Sequence, residues 1–288
     1  ANDGHATLYG LTASTDVEYR VVTDDWTSEA FSVATGELPA GLPRFTVVDE
    51  GDPGFNFIAG SYLITADEGS AVWVVNRDGE IVWYDILQGI GTVPVIHKVD
   101  DGFLYLVTSH SYLGEAHVRW ASNDNRKQDV YALPMAHHDV IEVPGARFAA
   151  VVGEARVVDG ENVVGDGIVE MFDDGSTRTV WTAFDHLEVQ ENDGWGTLAY
   201  PEGADWVHAN GLDYDDATGN YLFSMYRCEC IASINRESGA TNWVLGGGEE
   251  LLGTGLTLLD FDEPFGPQHA PRWVDGGVLM FDNGYDAG

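Results

Sequence analysis

The run DWVHANGLDYDDATGNYLFSMYRCECIASINRESGATNWVLGG, Asp205 to Gly247, decides the fold. His208 precedes a cluster of turn formers, Asp213, Asp215, Asp216 and Gly219, and Tyr221 to Met225 is then an apolar run of strand length bounded by turn signals. Arg227 follows in what reads as a second strand. Ile231, Ser233 and Asn235 lead into the turn Glu237-Ser238-Gly239, and Thr241 to Leu245 completes a hairpin whose Trp243 covers one sheet face.

The pattern recurs along the chain. His97 is followed by Gly102 and Phe103 to Val107, His138 by Gly145 and Phe148 to Val152, and His269 by Gly276, Gly277 and Val278 to Phe281. The second half of the unit repeats as well: VWVVNRDGEIVW ends at Trp83, VEMFDDGSTRTVW at Trp181 and IASINRESGATNW at Trp243. Units of four short strands at a period of about 40 to 50 residues are the sequence signature of a β-propeller blade. The wider intervals between the later histidines require insertions at loops. Equivalent positions of successive blades surround one central channel, so His97, His138, His208 and His269 are expected to converge there.

Composition agrees with an all-β class. The 288 residues are 44% hydrophobic and 11% aromatic, with 35 glycines, and Val, Tyr, Trp, Phe and Thr crowd into short runs. Acidic residues number 48 against 13 basic, giving a formal charge of −35, and lysine occurs only at Lys98 and Lys127. Such a field repels phosphate backbones and anionic lipid heads, which argues against nucleic-acid and membrane-surface partners. It suits a solvating surface in a salty, periplasmic or extracellular setting. Calcium binding in acidic loops such as Asp213 to Asp216 is the alternative, although no stretch has the full ligand order of an EF-hand. No apolar run approaches the ~18 residues of a membrane span, and the first residues lack a signal-peptide pattern, but Ala1 is not a start methionine. Cys228 and Cys230 point to one face if extended, and joining them would close a small strained ring, so two buried thiols are expected. A metal or redox role would need more ligands than this pair supplies.

Residues 1–36 read as three strands of a sandwich domain. YGLTASTDVEYRVV, Tyr9 to Val22, resembles the end of a fibronectin type III domain, so the chain is expected to begin part-way through such a domain. ELPAGLPRF, Glu37 to Phe45, is the linker. The propeller pattern occupies 46–288, with Phe55 to Thr65 and Ala71 to Trp83 in its first blade. Glu154 to Gly167 is expected to be a loop or hairpin insertion, and Ala183 to Glu191 one short helix or a capping loop. The propeller is expected to be incomplete at its C-terminal end.

A ring of histidines with one arginine suggests three chemistries. Neutral imidazoles could bind a metal; one imidazole could act as nucleophile while the others and Arg227 hold an oxyanion; or the ring could be structural. Arg227 favours the second, because a guanidinium repels a dication but matches a pair of sulfate or phosphate oxygens. His137 and His138 are adjacent on a strand and should face opposite sides, so that only one enters the channel. Asn210 shares a face with His208 if extended and could orient it or donate to an oxyanion; an ordinary Asn-Gly turn is the alternative. Gln268, His269, Asp282, Asn283 and Gly284 form another polar cluster, and His5, His110, His117 and His186 are expected at the surface.

HHD at His137 to Asp139, DWVHANG at Asp205 to Gly211, SMYR ending at Arg227, INRESGATNWVLGG, FGPQHAP around His269 and FDNG at Phe281 to Gly284 resemble, in the same order, the bacterial arylsulfate sulfotransferases that work without phosphoadenosine phosphosulfate. The resemblance implies a six-bladed propeller with an N-terminal β-domain. It implies that His269 takes the sulfuryl group as a sulfohistidine, that His138, His208 and Arg227 hold the sulfuryl oxygens, and that Asn210 stands beside them. It further implies an aryl sulfate donor, a phenol acceptor, and neither metal nor nucleotide cofactor. Gln268 and His97 are the further candidates for substrate contact. The competing reading is a non-catalytic propeller that binds a partner, its histidines structural or metal-bound; a metal-dependent hydrolase or lyase is a third.

Overall fold

A computed structural model describes residues 6–48, 51–52, 54–65, 69–89, 91–108, 116–189, 203–247, 258–259 and 265–284. Within them the chain is nearly all strand. β1 (Asp16–Tyr19) pairs with β2 (Phe31–Ala34). β3 (Phe57–Thr65), β4 (Gly69–Asn76) and β5 (Ile81–Leu87) form an antiparallel meander, and β6 (Thr92–Val99), β7 (Gly102–Thr108), β8 (His117–Ser122) and β9 (Gln128–Ala132) form a four-stranded sheet in chain order. A third runs through β10 (Ala136–Ile141), β11 (Phe148–Val158), β12 (Glu161–Met171) and β13 (Thr177–Thr182). The single turn of helix α1 (Ala183–His186) follows, and then the short β14 (Ala204–Asp205), which joins β12 in parallel. β15 (Ala209–Asp215), β16 (Asn220–Met225), β17 (Cys230–Asn235) and β18 (Thr241–Gly246) make the next meander, with β19 (Leu258–Leu259) added in parallel to β18. β20 (Gln268–Val274) and β21 (Gly277–Asp282) form the last hairpin.

Sequential antiparallel meanders are the strand grammar of propeller blades, and the fold is propeller-like and all-β as the repeats predict. Residues 1–103 with 120–129 form one compact unit, and 104–119 with 130–288 a second. The N-terminal stretch has two strands and an isolated Val22–Thr27 bridge where three strands were expected. Glu154 to Gly167 is the tip of the β11–β12 hairpin, turned at Asp159 and Gly160, both with positive φ. The helix lies at Ala183–His186; Gln190 and Glu191, also included in that expectation, lie outside the described residues.

The core of the second unit underlies the candidate site. Ile168, Trp181, Leu212, Tyr221, Phe223, Ile234 and Val244 are buried in one cluster that spans the β10–β13 and β15–β18 sheets. Trp181 meets Phe223 edge-on at 5.3 Å, and its Nε1 donates to Thr241 Oγ1 at 3.1 Å. The repeated tryptophan thus ties one sheet to the next. Full burial of aromatic and aliphatic chains of this size stabilises by roughly 1.5–3 kcal/mol each.

Buried carboxylates add polar ties across the same seam. Asp139 on β10 accepts from Leu212 N on β15 at 3.0 Å and from Arg272 Nη1 on β20 at 3.5 Å. Glu170 on β12 accepts from Tyr221 Oη, Arg236 Nε and Arg178 Nη2 at 2.6, 2.6 and 2.8 Å. Burial alone would raise its pKa, but the Arg236 and Tyr221 bonds outweigh it and hold the carboxyl below its usual value.

Candidate functional site

Three first strands carry the candidate site, and each is irregular near its start. β10, β15 and β20 open their sheets, β15 lies against both of the others, and each has a register shift near its start. A left-handed residue sits within the shift on β10 and β20, His138 with φ 58° and Ala270 with φ 48°, and immediately before β15, His208 with φ 49°. Such φ values are uncommon outside glycine and cost of the order of 1–3 kcal/mol each. Three such residues near the starts of these strands, with histidine at or beside each, mark strain held by the surrounding sheets.

The bends bring the rings together. His138 and His208 meet edge to face with centroids 4.9 Å apart, and Tyr226 stands 5.5 Å from both His208 and His269. His138, His208 and His269 therefore converge as the repeat implied. His97 is half-buried on β6, in the other compact unit. The expectation that His137 and His138 face opposite sides is wrong: at the left-handed His138 the strict alternation of an extended strand fails, and the two Nδ1 atoms lie 2.7 Å apart.

Carboxylates aim two of these imidazoles. The buried β14 residue Asp205 accepts from His208 Nδ1 at 2.6 Å and from His208 N at 2.9 Å. Asp166 on β12, fully buried, accepts from His137 Nε2 at 3.0 Å through one oxygen and from Ala209 N at 2.6 Å through the other. One carboxylate thus fixes both a histidine of the HHD motif and the backbone next to His208.

Arg227 lies in the tight turn Tyr226–Glu229 between β16 and β17, not within a strand. The left-handed Glu229 closes that turn, with Glu229 N donating to Tyr226 O at 3.1 Å. Tyr226 N and Arg227 N donate to His208 O and Val207 O at 3.2 and 3.1 Å, so the turn is held beside His208. Cys228 is in the same turn and Cys230 begins β17, so they are not alternate residues of one strand; both are free thiols, and the Cys228 contact and burial raise the Cys230 pKa.

Asn210 and Gln268, expected at substrate, are buried and serve as a latch. Gln268 Nε2 donates to Ser224 Oγ at 3.0 Å, Ser224 Oγ to Asn210 Oδ1 at 2.8 Å, and Asn210 Nδ2 to Gln268 O at 2.6 Å. Gln268 Nε2 also faces the carbonyls of Cys230 at 2.7 Å and Met225 at 3.3 Å, which only a donor can do, so the amide orientation is fixed. The ring of bonds ties β20 to β15 and β16 next to His269. Asn210 therefore sets the position of the strand carrying His269 rather than orienting His208. Asp213 and Asp215 belong to β15, not to an acidic loop: Asp213 Oδ2 accepts from Trp273 N at 2.7 Å, and Asp215 caps the following turn through Ala217 N and Thr218 Oγ1.

Burial favours the neutral imidazole at His138 and at His269. Burial, with His137, His208 and His269 nearby, pushes the His138 pKa down to about 2. Burial also lowers that of His269, opposed by Asn283 and assisted by His208. His269 Nδ1 is buried and has no hydrogen-bond partner among the described residues. Among those residues no group of three or more His, Cys, Asp or Glu is placed to hold a metal ion, and no helix is long and apolar enough to cross a membrane. His117 is half-buried on β8, His186 stacks on Trp181 at 5.2 Å rather than lying at the surface, and His5 and His110 fall outside the described residues.

The arylsulfotransferase (ASST) family matches residues 39–288. The chain belongs to that family. A search of curated proteins gave no significant match. Among solved structures, this arylsulfotransferase-family chain is similar to hydrazine synthase of Kuenenia stuttgartiensis at 10% identity and TM-score 0.43, over 76% of this chain and 59% of that one. It is similar to a chain of a nidogen/laminin complex at 15% identity and TM-score 0.42, over 94% and 83% respectively. A Synechocystis apocarotenoid oxygenase aligns at 9% identity and TM-score 0.37, over 74% and 50%. Likenesses this distant carry no argument about chemistry.

Proposed function

We propose that the protein moves a sulfuryl group from an aryl sulfate to a phenol through a sulfohistidine on His269. The observation that carries this reading is the convergence of His138, His208 and His269 around Tyr226, on bent strands, with the Arg227 turn alongside. Family membership supplies the reaction class.

Each part has a physical role. A lowered pKa leaves His269 unprotonated and nucleophilic at neutral pH. Because Nδ1 is sealed from solvent, attack on sulfur falls to Nε2. Sulfuryl transfer, like phosphoryl transfer, spreads charge over peripheral oxygens, so prepositioned donors are the main catalytic resource. Arg227 supplies the cation, and His208, held by Asp205, supplies a directed imidazole. Tyr226 offers a ring edge to a bound aryl group. His138 closes the opposite side.

Intact-mass spectrometry after brief mixing with a chromogenic aryl sulfate, without acceptor, tests the reading. A gain of one sulfuryl group on His269, lost when phenol is added, is expected; phenol release with no covalent species at any mixing time would replace transfer by direct hydrolysis.

The acidic, lysine-poor composition supports a periplasmic or extracellular location, to be checked by fractionating the native cells. In the same reading residues 1–36 are the end of a fibronectin type III-like domain, 37–45 a linker and 46–288 the propeller. Limited proteolysis should then cut first within 37–45.

A further inference from the structure

We propose that His137 and Asp166 form a buried proton relay behind His138, through which His138 Nε2 exchanges the proton of the phenol while the positive charge settles on His137. The proposal rests on the sulfuryl-transfer reading above and adds to it two positioning residues, His137 and Asp166, and a proton-transfer role for His138.

The geometry leaves little choice of proton positions. Asp166 accepts from Ala209 N and from His137 Nε2, so His137 Nε2 carries hydrogen. The Nδ1 atoms of His137 and His138 are 2.7 Å apart, a hydrogen-bond distance, and such a contact holds one proton between them. His138 Nδ1 is thereby occupied, and Nε2 is the nitrogen His138 has for the substrate. His137 is fully buried while His138 is half-buried, so the relay runs from the edge of the site into the interior. This contact exists because His138 is left-handed; in an extended strand its neighbour's ring would be on the other face.

The arrangement resolves a conflict within the site. Protonating His138 alone would place a cation beside His208 and His269, in partial burial, and that is opposed. When His138 takes a proton at Nε2 and passes the Nδ1 proton to His137, the charge instead lies against the Asp166 carboxylate. In the acceptor half-reaction the phenol O–H bond breaks and the His138 Nε2–H bond forms. The His138 Nδ1–H bond breaks and a His137 Nδ1–H bond forms. The phenolic oxygen bonds to sulfur, and the S–N bond breaks with its electron pair returning to His269. The donor half-reaction runs these steps in reverse, protonating the departing phenolate and returning the relay to neutrality. The groups around the relay are Asp166, His208, His269 and, through His208, Asp205.

The test compares acceptors of different acidity in His137→Phe, which keeps an aromatic volume but cannot relay. With pre-formed sulfuryl-enzyme, transfer to phenols un-ionised at the assay pH should fall about 100-fold, the usual scale of general acid–base catalysis. Transfer to nitrophenols already ionised should change little. An equal loss for both kinds of acceptor, or no loss for either, overturns the relay while leaving sulfuryl transfer standing; absence of sulfuryl-enzyme in the unsubstituted protein overturns the underlying reading instead. If His137→Phe does not fold, the proton inventory of the unsubstituted protein decides. A bowed dependence on deuterium fraction is expected from two protons in flight, and a linear one overturns the relay.

Discussion

His208 and Asp205 are joined twice, the carboxylate accepting from the imidazole Nδ1 at 2.6 Å and from the backbone N of the same residue at 2.9 Å. Side chain and main chain are thus fixed by one acid, which is itself placed by the parallel pairing of β14 with β12. Asp205→Asn keeps the backbone bond but offers an amide where a carboxylate stood. Loss of about 10-fold or more in kcat with little change in KM is expected, measured with a chromogenic aryl sulfate; an unchanged kcat would mean that His208 needs no such aim.

His269→Asn should abolish covalent labelling and transfer while leaving the circular dichroism spectrum and unfolding midpoint close to those of the unsubstituted protein. The residue is half-buried, its Nδ1 has no hydrogen-bond partner among the described residues, and asparagine is a polar replacement on the side that faces Asn283, so the loss of stability should be small. Retained turnover would remove His269 from the nucleophile role.

Asn210→Ala opens the ring of bonds through Gln268 and Ser224. It leaves Ser224 Oγ and Gln268 O short of a partner in a buried setting. A loss of about 1–3 kcal/mol is expected from urea unfolding, the cost of stranding buried polar groups. Activity should fall with it, because the latch holds the strand bearing His269.

Gly211→Ala acts on the same seam by a different route. An added Cβ would stand 2.3 Å from Pro271 Cδ and 3.0 Å from Ala270 N, backbone and ring atoms that cannot swing away. β15 and β20 must separate. The expected cost is about 1–3 kcal/mol, with a drop in kcat, whereas Gly276→Ala has no atom within 4 Å but does meet a positive φ, and should cost stability without touching activity.

Acid should destabilise the fold from near neutrality. The pKa of His138 is lowered to about 2 and those of His269 and His186 are also lowered, so the unfolded chain binds more protons below the ordinary histidine value of 6.5. Stability from these groups is complete above about pH 6.5 and is lost as pH falls toward their folded values. Glu170, also lowered, adds a loss that begins only below its ordinary value of 4.5. Thermal midpoints between pH 7.5 and 4.5 check this, and His138→Asn should flatten the upper part of the curve.

Much of the architecture was legible because blades repeat. The hairpins ending at Trp83, Trp181 and Trp243, and the histidines opening β10, β15 and β20, follow from period-two apolar runs and turn residues. The irregular geometry was not legible. The left-handed His138 breaks the alternation on which the facing of His137 was judged, and the turn at Tyr226–Glu229 takes Arg227 out of the strand that its apolar neighbours suggested. Tyr226 was overlooked beside the more obviously chemical Arg227. Asp166 lay in a stretch read as an insertion, and only the long β11–β12 hairpin places it against the HHD motif. Asn210 and Gln268 have the residue types of ligand contacts, and only burial shows them bonded to each other.

The carboxylates of Asp139 and Asp166 reach from one sheet to the backbone N–H groups of Leu212 and Ala209 on the next, and this has a consequence for assembly. Asp166 meets His137 within its own sheet, but its second oxygen, like Oδ2 of Asp139, finds its partner only on the neighbouring strand, and His138 meets His208 only when that strand arrives. Each meander can therefore acquire its hydrogen-bond ladder early, while the constellation of rings matures only at docking. During refolding, the strand signal in far-ultraviolet circular dichroism should recover ahead of any sulfuryl-transfer activity, the delay between the two signals timing the moment at which separate sheets close on one another.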